Sequence, residues 1–415
     1  MGGVRFIMSR ATWCLSSVIL LGLAACGGVR GTNDSDPVGV SEERAMLAGA
    51  VLAPCWPCLV APDTANPAIV DPAIGREKQW LSDHYVWLDP AVEHREKLFV
   101  HLPGQSNAGP ANTPAQFKYL AQEAARLGYH VIVLTYANTV GVGGGAASVC
   151  KWTTYDKTAE LCQENTRLEV LDGKARGGTP ELPVHLVFKG MTDAHAEAHG
   201  VYDRLTKLLE HLALKRPGEG WSRFLQGRGP DRAPAWQKIA ISGFSYGGNE
   251  AALIARSYRV HRVTLFGSPR DGSGTTPNGW VRPGETPSKR YYGLVHDQDP
   301  LYLLTLSSWD MLGMSNSGAA AFEDNSASPY AKTHMLVTDR VPAPNTFPNA
   351  AHHLSVAHDD FTPCMQQGST VQCAALGAGP PLLGEVWRYM LGVEGPEGED
   401  DSRDDSSDES RDEDD

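Results

Sequence analysis

The stretch KIAISGFSYGGNEAALIARS, from Lys238 to Ser257, begins as one kind of structure and ends as another. Its first residues form a short apolar run that is typical of a buried strand, and its last nine residues have the apolar spacing of a helix. Ser245 lies at the junction, with Gly243 and Gly247 on either side of it. A tight turn from strand to helix crowds the backbone, and glycine tolerates that crowding because it has no Cβ. The sequence therefore predicts that the Ser245 side chain protrudes from a sharp turn.

A protruding serine at such a turn has a specific chemical use. A serine hydroxyl is a weak nucleophile at neutral pH, and it needs a base within hydrogen-bond reach and an acid that orients the base. The helix that follows the turn directs its first N–H groups toward the place where negative charge develops. Gly243-Phe-Ser-Tyr-Gly247 is thus a G-x-S-x-G elbow in the strand-to-helix context that this motif requires.

The elements around this elbow alternate between strand and helix. A Gly-rich loop and an excursion bounded by Cys150 and Cys162 interrupt this alternation before the helix that begins at Val201. Alternation of this kind favours an α/β fold with a mostly parallel sheet and helices on both faces, in which ligands bind at the carboxyl ends of the strands. The predicted strands are Lys97–Gly104, Tyr129–Asn138, His261–Pro269, Arg290–Pro300 and His334–Arg340, and the predicted helices are Asn112–Gly128, Val201–Leu212 and Gly384–Leu391.

With the elbow in this setting, the chain resembles the α/β-hydrolase superfamily, in a branch similar to bacterial esterases and lipases. The resemblance extends from about Lys97 to Leu391. It implies a serine hydrolase that cleaves carboxylic esters through an acyl-enzyme intermediate, with Ser245 as the nucleophile. It also implies the order nucleophile, acid, histidine along the chain, and a reaction that needs no metal or organic cofactor.

The acid is expected in the segment VHDQDPLY, which follows the next two predicted strands. Asp299 comes three residues after His296 and directly before Pro300, which resembles the H-x-x-D stretch of some lipases. Asp297 is the alternative acid. Either aspartate can instead cap the helix that begins near Leu301.

The histidine is expected after the last strand, in NAAHHLSVAHDDFTPC. This segment offers His352, His353 and His358. We prefer His353, because a loop histidine just ahead of a short helix fits the family, while His358 would lie a turn or more into that helix.

The resemblance also implies where the oxyanion and the substrate bind. The two backbone donors would be the N–H of Tyr246, after the nucleophile, and the N–H of Gln105, in the loop HLPGQSNAGP after the first predicted strand. The excursion from Arg270 to Arg290 replaces the helix expected between two parallel strands, and a loop of this length is commonly a lid or a substrate wall. Trp280 is a candidate wall residue, or else it packs onto the surface of the fold.

The two ends of the chain lie outside the predicted hydrolase domain, which covers residues 45–392. Residues 1–25 resemble a lipoprotein signal peptide, and Leu-Ala-Ala-Cys26 resembles the lipobox in which the cysteine is acylated. Residues 26–44 are expected to be a flexible tether. Residues 393–415 contain 13 acidic residues and two arginines, which account for most of the formal net charge of −13, and such a tail is expected to be disordered.

This layout predicts a protein of the bacterial cell envelope, periplasmic or surface-exposed, that touches the membrane only through its lipid anchor. Nothing in the charge balance suggests nucleic acid. An exported chain is expected to form disulfides, and its remaining cysteines fall into three close pairs. The expected pairs are Cys55–Cys58, Cys150–Cys162 and Cys364–Cys373; a metal site at Cys55 and Cys58 is the alternative for the first.

Two other classes of function remain open at this point. The chain can be a non-catalytic surface binding protein on a retained hydrolase fold, or it can cleave amide or peptide bonds. The acyl and alcohol parts of an ester substrate cannot be read from the sequence, because loops form the pocket. Polyester, glyceride and small-ester substrates all fit.

Overall fold

The computed structural model describes residues 53–71, 79–106, 111–143, 148–152, 154–315, 318–323, 328–344, 347–366, 368–375 and 378–392. The signal peptide, Cys26, the tether and the acidic tail all lie outside the described residues. Within those described ranges, no helix has the length and apolar character needed to cross a membrane.

One large sheet organises the described chain. Its strand order is β1-β2-β4-β3-β9-β10-β13-β15-β14, and all of its neighbours from β4 to β14 pair in parallel. The two strands at one edge, β1 and β2, are antiparallel additions that the sequence patterns do not reveal. The strands of this sheet are β1 Cys58–Val60, β2 His84–Trp87, β3 Leu98–Leu102, β4 His130–Val133, β9 Ile239–Phe244, β10 Arg262–Phe266, β13 Tyr291–His296, β14 Ala319–Ala321 and β15 Met335–Thr338.

Short hairpins and helices complete the described fold. The hairpins are β5 Gly177–Thr179 with β6 Leu182–Val184, β7 Leu225–Gln226 with β8 Ala233–Pro234, β11 Gly272–Ser273 with β12 Thr276–Pro277, and β16 Pro363–Gln366 with β17 Ser369–Gln372. The α-helices are α1 Pro62–Ala65, α2 Lys118–Arg126, α3 Lys157–Asp172, α4 Asp193–His199, α5 Val201–Lys215, α6 Tyr246–Ser257, α7 Tyr302–Met311, α8 Pro348–Leu354 and α9 Gly384–Met390.

Two apolar cores lie on opposite faces of the sheet, because successive side chains of a strand point to opposite sides. In β3, Leu98 and Val100 belong to one core and Phe99 to the other. Side chains of α5 and α6 pack into the first core, and side chains of α2 and α9 pack into the second. Helices therefore cover both faces of a mostly parallel sheet, as the alternation of elements predicts.

Helix α3 is the main element that the sequence analysis missed. The buried face of this helix includes polar and charged side chains such as Gln163, Arg167 and Glu169, so it lacks the apolar period that reveals a helix. Its ends do carry readable signals. Asp156 accepts hydrogen bonds from the first turn, and Gly173 ends the helix with φ of 74°.

The three expected disulfides, Cys55–Cys58, Cys150–Cys162 and Cys364–Cys373, are all present. The second links Cys150, in the segment before α3, to Cys162 within that helix. The third links the two strands of the β16–β17 hairpin. Cys55 and Cys58 therefore bond to each other, and the alternative of a metal site at this pair is wrong.

Candidate active site

Ser245 is the single residue between β9 and α6, and its backbone is strained. Its φ of 52° and ψ of −113° lie outside the regions that a residue with a Cβ adopts freely. Such a conformation costs about 1–3 kcal/mol and persists only where the surroundings enforce it. Here the N–H of Ser245 donates to the carbonyl of Phe266 at 2.9 Å, which holds the turn against the end of β10.

Glycines allow this turn to pack against its neighbours. A Cβ on Gly247 would lie 2.0 Å from the carbonyl oxygen of Leu102, at the end of β3. A Cβ on Gly243 would lie 2.1 Å from the carbonyl oxygen of Gly247 itself. Both glycines of the G-x-S-x-G motif are therefore required by close approach of backbone to backbone, as the sequence predicts.

His353 and Asp299 form a hydrogen-bonded pair beside this turn. The Nδ1 of His353 lies 2.5 Å from the Oδ2 of Asp299, and the N–H of Leu301 donates to the other carboxylate oxygen at 2.8 Å. The ring of His353 also packs on the ring of Phe244, with centroids 4.8 Å apart. The contact assigns the imidazole proton to Nδ1 and leaves the lone pair on Nε2.

Gly267 leaves room for this pair. It follows β10 with φ of 53°, and a Cβ there would lie 3.0 Å from the imidazole and 3.3 Å from the carboxylate of Asp299. The position therefore needs glycine for two reasons, its backbone conformation and the space that the pair fills.

The alternative residues lie in other environments. Asp297 is 41% exposed at its side chain and contacts His296 instead of His353. The ring of His352 packs against that of His296. His358 is fully buried, and its Nε2 hydrogen-bonds the carbonyl of Ala111 at 2.9 Å.

The local structure around the histidine differs from the expectation. His353 does not precede a short helix; it lies in the last turn of α8, and His358 lies beyond the end of that helix. His353 is the histidine that meets Asp299, but the expected loop position ahead of a short helix is wrong.

Arg270 makes the least expected contact of the site. One guanidinium nitrogen, Nη1, lies 2.7 Å from Nε2 and 2.9 Å from Nδ1 of His353. Because Nη1 is close to both ring nitrogens, it lies against the imidazole ring and not on the in-plane lone pair of Nε2. No hydrogen bond joins Ser245 to His353 in the described chain. The backbone N–H of Arg270 donates to Asn249 at 2.7 Å, which fixes its main chain.

The electrostatic environment sets the charge of the pair. Burial alone would raise the pKa of Asp299, but His353, Arg270 and the N–H of Leu301 hold it well below its usual range. Burial lowers the pKa of His353, and the positive charge of Arg270 lowers it further, while Asp299 opposes both effects. At neutral pH the pair is therefore a carboxylate and a neutral imidazole.

The loop after β3 is pinned by three side chains. Tyr136 donates to the carbonyl of Pro103 at 2.6 Å, Asn138 to that of Gly104 at 2.7 Å, and Asn112 to that of Gln105 at 2.9 Å. A peptide group is planar and trans, so fixing the carbonyl of residue 104 directs the N–H of residue 105 to the opposite side.

A buried polar cluster lies behind the elbow. Arg167 donates to both carboxylate oxygens of Asp271, at 3.0 and 2.8 Å, and to Glu250 at 3.0 Å. Its guanidinium also lies 3.9 Å from the centre of the Tyr246 ring. Burial raises the pKa of Glu250 to about 8 despite the opposing effect of Arg167.

Trp280 belongs to this cluster and to the core. It is 1% exposed, and its indole N–H donates to Asp271 at 3.2 Å. The prediction that Trp280 forms a substrate wall is therefore wrong. The excursion contributes to the cavity through its first residues, from Arg270 to Gly274, instead.

The strained serine, the imidazole of His353 and Arg270 line one cavity of about 450 Å³. Its lining includes Gln105, Ser245, Tyr246, Arg270 and His353. The volume is that of a small-molecule site. Among the described residues, no group of three or more His, Cys, Asp or Glu side chains is arranged to hold a metal ion.

Sequence reasoning missed both arginines of this cavity. Arg270 follows the carboxyl end of β10, and polar residues at that end of a parallel strand are a readable signal for a site. Arg167 carries no comparable signal, because it comes from the unrecognised helix α3.

Comparisons with known proteins add little. No family model matches the chain, and no curated protein does. Solved structures similar to it include a sugar hydrolase from Lactococcus lactis, with 12% identity over 62% of this chain and 77% of that one, at a TM-score of 0.24. Esterase 2 from Thermogutta terrifontis is also similar, with 14% identity and a TM-score of 0.27, both phosphoramylated by tabun (63% and 81% covered) and in its native form (74% and 94%). Likenesses this weak carry no argument about activity, which rests on the site's own geometry.

The strain at Ser245 predicts an unusual order of stability. The free energy of unfolding should be higher for Ser245→Gly than for Ser245→Ala, by about 1 kcal/mol. The relief of a strain of about 1–3 kcal/mol exceeds the extra entropy of glycine, about 0.5–1 kcal/mol. Urea unfolding of both variants measures the difference. The matched control is Ser257 in α6, where glycine should be less stable than alanine; the same order at both positions would contradict the strain.

The packing of Gly267 predicts a local effect on the His353–Asp299 pair. Gly267→Ala should displace the pair. Gly229 has φ of 56° and open space around it, so Gly229→Ala should cost a similar backbone strain without displacing the pair. The measurement is the proton NMR signal of the imidazole Nδ1–H, which a short bond to a carboxylate moves far downfield. An unchanged signal in Gly267→Ala would show that the glycine does not support the pair.

Proposed function

We propose that the chain is a serine hydrolase of the α/β-hydrolase superfamily that cleaves carboxylic esters, with Ser245, His353 and Asp299 as its catalytic triad. The observation that carries the proposal is the 2.5 Å contact between His353 and Asp299 on the same cavity as the strained serine. Ser245 lines the cavity and is half-buried, and a strained backbone at such a nucleophile is typical of an active site. The acid and the histidine are 54 positions apart in the chain, so their contact is a product of the fold and not of neighbouring sequence.

The proposed reaction is an acyl transfer through Ser245. The Oγ of Ser245 attacks the ester carbonyl carbon while its proton passes to Nε2 of His353, and Asp299 stabilises the imidazolium through Nδ1. The oxyanion accepts hydrogen bonds from the N–H groups of Gln105 and Tyr246. The alcohol leaves with the proton from Nε2, and the acyl group stays on Ser245. Water then attacks in the same way, and the carboxylic acid is released.

The elements around the cavity support each role. The N–H of Tyr246 is the first of α6, so it has no acceptor within the helix, and the helix dipole favours negative charge there. The N–H of Gln105 has a fixed direction because Asn138 holds the preceding carbonyl. No observation favours an amide over an ester as the bond that is cleaved. The alcohol that leaves an ester needs less help from the general acid than the amine that leaves an amide.

The cellular setting is also part of the proposal. The lipobox at Cys26 and the preceding apolar run support a lipid-anchored protein of the cell envelope, and the three disulfides fit an oxidising compartment. The substrate is then an ester outside the cytoplasm, either a small molecule or part of a lipid or polyester.

The triad predicts losses that do not add. Ser245→Ala and His353→Ala should each lower kcat for a 4-nitrophenyl ester by about 10⁴–10⁶, and the double variant should be little worse than Ser245→Ala, because a base with nothing to activate contributes little. Asp299→Asn should cost less than either. The measurement is steady-state kinetics together with labelling by a fluorophosphonate.

The alternative histidine and the alternative aspartate serve as controls. His352→Ala should retain turnover because its ring packs against that of His296, and Asp297→Asn should do the same because its carboxylate also contacts His296. If Ser245→Ala hydrolyses the ester and the wild type takes up no fluorophosphonate, the proposal of a serine hydrolase fails. In that case the non-catalytic binding protein on a hydrolase fold is the better reading.

The environment of His353 predicts the pH dependence. The reaction needs a neutral imidazole, so kcat/KM for a neutral ester should fall as pH drops through the pKa of His353, which burial and Arg270 place below 6.5. Arg270→Gln removes a positive charge that lowers this pKa, so the acid limb should move to higher pH. A profile of kcat/KM from pH 4 to 8 measures both. An acid limb above pH 6.5 in the wild type, or a shift to lower pH in the variant, would contradict this account.

A further inference from the structure

We propose that Arg270 makes the enzyme selective for esters that carry a carboxylate, because this carboxylate pairs with the guanidinium that lies against the imidazole of His353. The inference rests on the proposed function and deepens it by naming the substrate class. Half-esters of dicarboxylic acids and oligoesters with a free acid end belong to this class.

Arg270 places a positive charge directly beside the imidazole that catalysis needs. The Nδ1 proton of His353 is committed to Asp299, so Nε2 has the only lone pair that can accept the proton of Ser245. Nη1 of Arg270 lies 2.7 Å from Nε2 and 2.9 Å from Nδ1, so it faces the ring and does not lie on the in-plane lone pair. The lone pair is open, but the guanidinium charge adjoins the group that must take up the proton.

The charge of His353 changes during the reaction. When Ser245 attacks, His353 becomes an imidazolium, and a guanidinium beside it disfavours this charged form. Asp299 compensates one positive charge, and a second one remains. A substrate carboxylate bound to Arg270 would supply the missing negative charge, so it would favour the transition state as well as the initial complex.

Arg270 is also available to bind an anion. In the described chain, Arg270 has no carboxylate partner within ion-pair distance, and its side chain faces the cavity. Arg167, the other cavity arginine, is committed to Asp271 and Glu250 and is 4% exposed. Any anion that enters the cavity therefore meets one available guanidinium.

The exchange of partners is favourable for a carboxylate in particular. In the resting contact the guanidinium lies against a neutral imidazole ring. A carboxylate offers two oxygens to the planar guanidinium, and such bidentate pairs between ions are among the strongest hydrogen bonds in proteins. A neutral ester has no group that competes with His353 for Arg270.

The site also limits where the carboxylate lies. Arg270 and Ser245 line the same cavity of about 450 Å³, so the acid and the scissile ester must belong to one small molecule or to one chain end. Cavity and guanidinium together select a short spacer between the two groups.

The experiment compares two esters with the same acyl chain, mono-4-nitrophenyl adipate and methyl 4-nitrophenyl adipate, with the spontaneous rates subtracted. The wild type should show a kcat/KM at least tenfold higher for the anionic ester. Arg270→Gln should lose this preference, with a rate on the anionic ester at least tenfold lower. Its rate on the neutral ester should increase, because the imidazolium then forms without a second cation beside it. Arg270→Lys should keep part of the preference, since it retains the charge without the planar fork.

Lys207→Gln is the matched control, because it removes one positive charge from helix α5 while leaving the cavity intact. It should keep the wild-type ratio, which separates the local contact from a change in net charge. Equal kcat/KM for the two esters in the wild type, or an undiminished preference in Arg270→Gln, would overturn the inference. The wild-type comparison decides the matter even if both Arg270 variants fail to fold.

Binding separates this inference from the proposed function. Calorimetry of monomethyl adipate with Ser245→Ala should show binding that dimethyl adipate lacks and that Arg270→Gln in the same background abolishes. Hydrolysis of both esters without a charge preference leaves the hydrolase and removes the inference. Binding that depends on Arg270, without hydrolysis of either ester by the wild type, removes the hydrolase and keeps the carboxylate site.

Discussion

The site depends on the close packing of the turn between β9 and α6 against the ends of its two neighbouring strands. Backbone meets backbone there at distances that no side chain tolerates, so Gly243 and Gly247 have no substitutes. The same packing holds Ser245 in a strained conformation, and the bond to Phe266 fixes it to β10. Strain of about 1–3 kcal/mol is large against the marginal stability of a domain, so the surrounding sheet must be rigid enough to maintain it.

The parallel sheet brings the remaining groups to the same edge. Asp299 follows β13, Arg270 follows β10 and Gln105 follows β3, and the carboxyl ends of these strands are adjacent because β3, β9, β10 and β13 are consecutive in the sheet. His353 comes from α8, outside the sheet, and Gly267 leaves the space in which it meets Asp299. The geometry of the site is therefore a consequence of strand order.

The charges of the site form a series from cation to anion. Arg270, His353 and Asp299 lie in contact one after another, so the neutral imidazole separates a guanidinium from a carboxylate. Burial removes the screening by water, which makes each charge sensitive to the next. An imidazole in this position changes its basicity when the guanidinium changes its partner, and this links the binding of an anion to the strength of the base.

The sequence by itself determined the features that depend on neighbouring residues. The elbow at Ser245, the alternation of strands and helices, the glycine requirement and the three disulfides all follow from local composition and short spacing. Helix α3 was not predicted because its buried face includes polar residues. Trp280 was wrongly predicted to form a substrate wall, because the burial of one indole leaves no pattern in the local sequence.

Only the tertiary structure decided which residues meet across the chain. Asp299 and His353 are 54 residues apart, and Arg270 and His353 are 83 apart, so no local period relates them. The choice among His352, His353 and His358 depended on the direction in which each side chain leaves α8 or the segment after it. The role of Arg270 depended on contacts of 2.7 and 2.9 Å to the two ring nitrogens, which the packing of two distant segments creates.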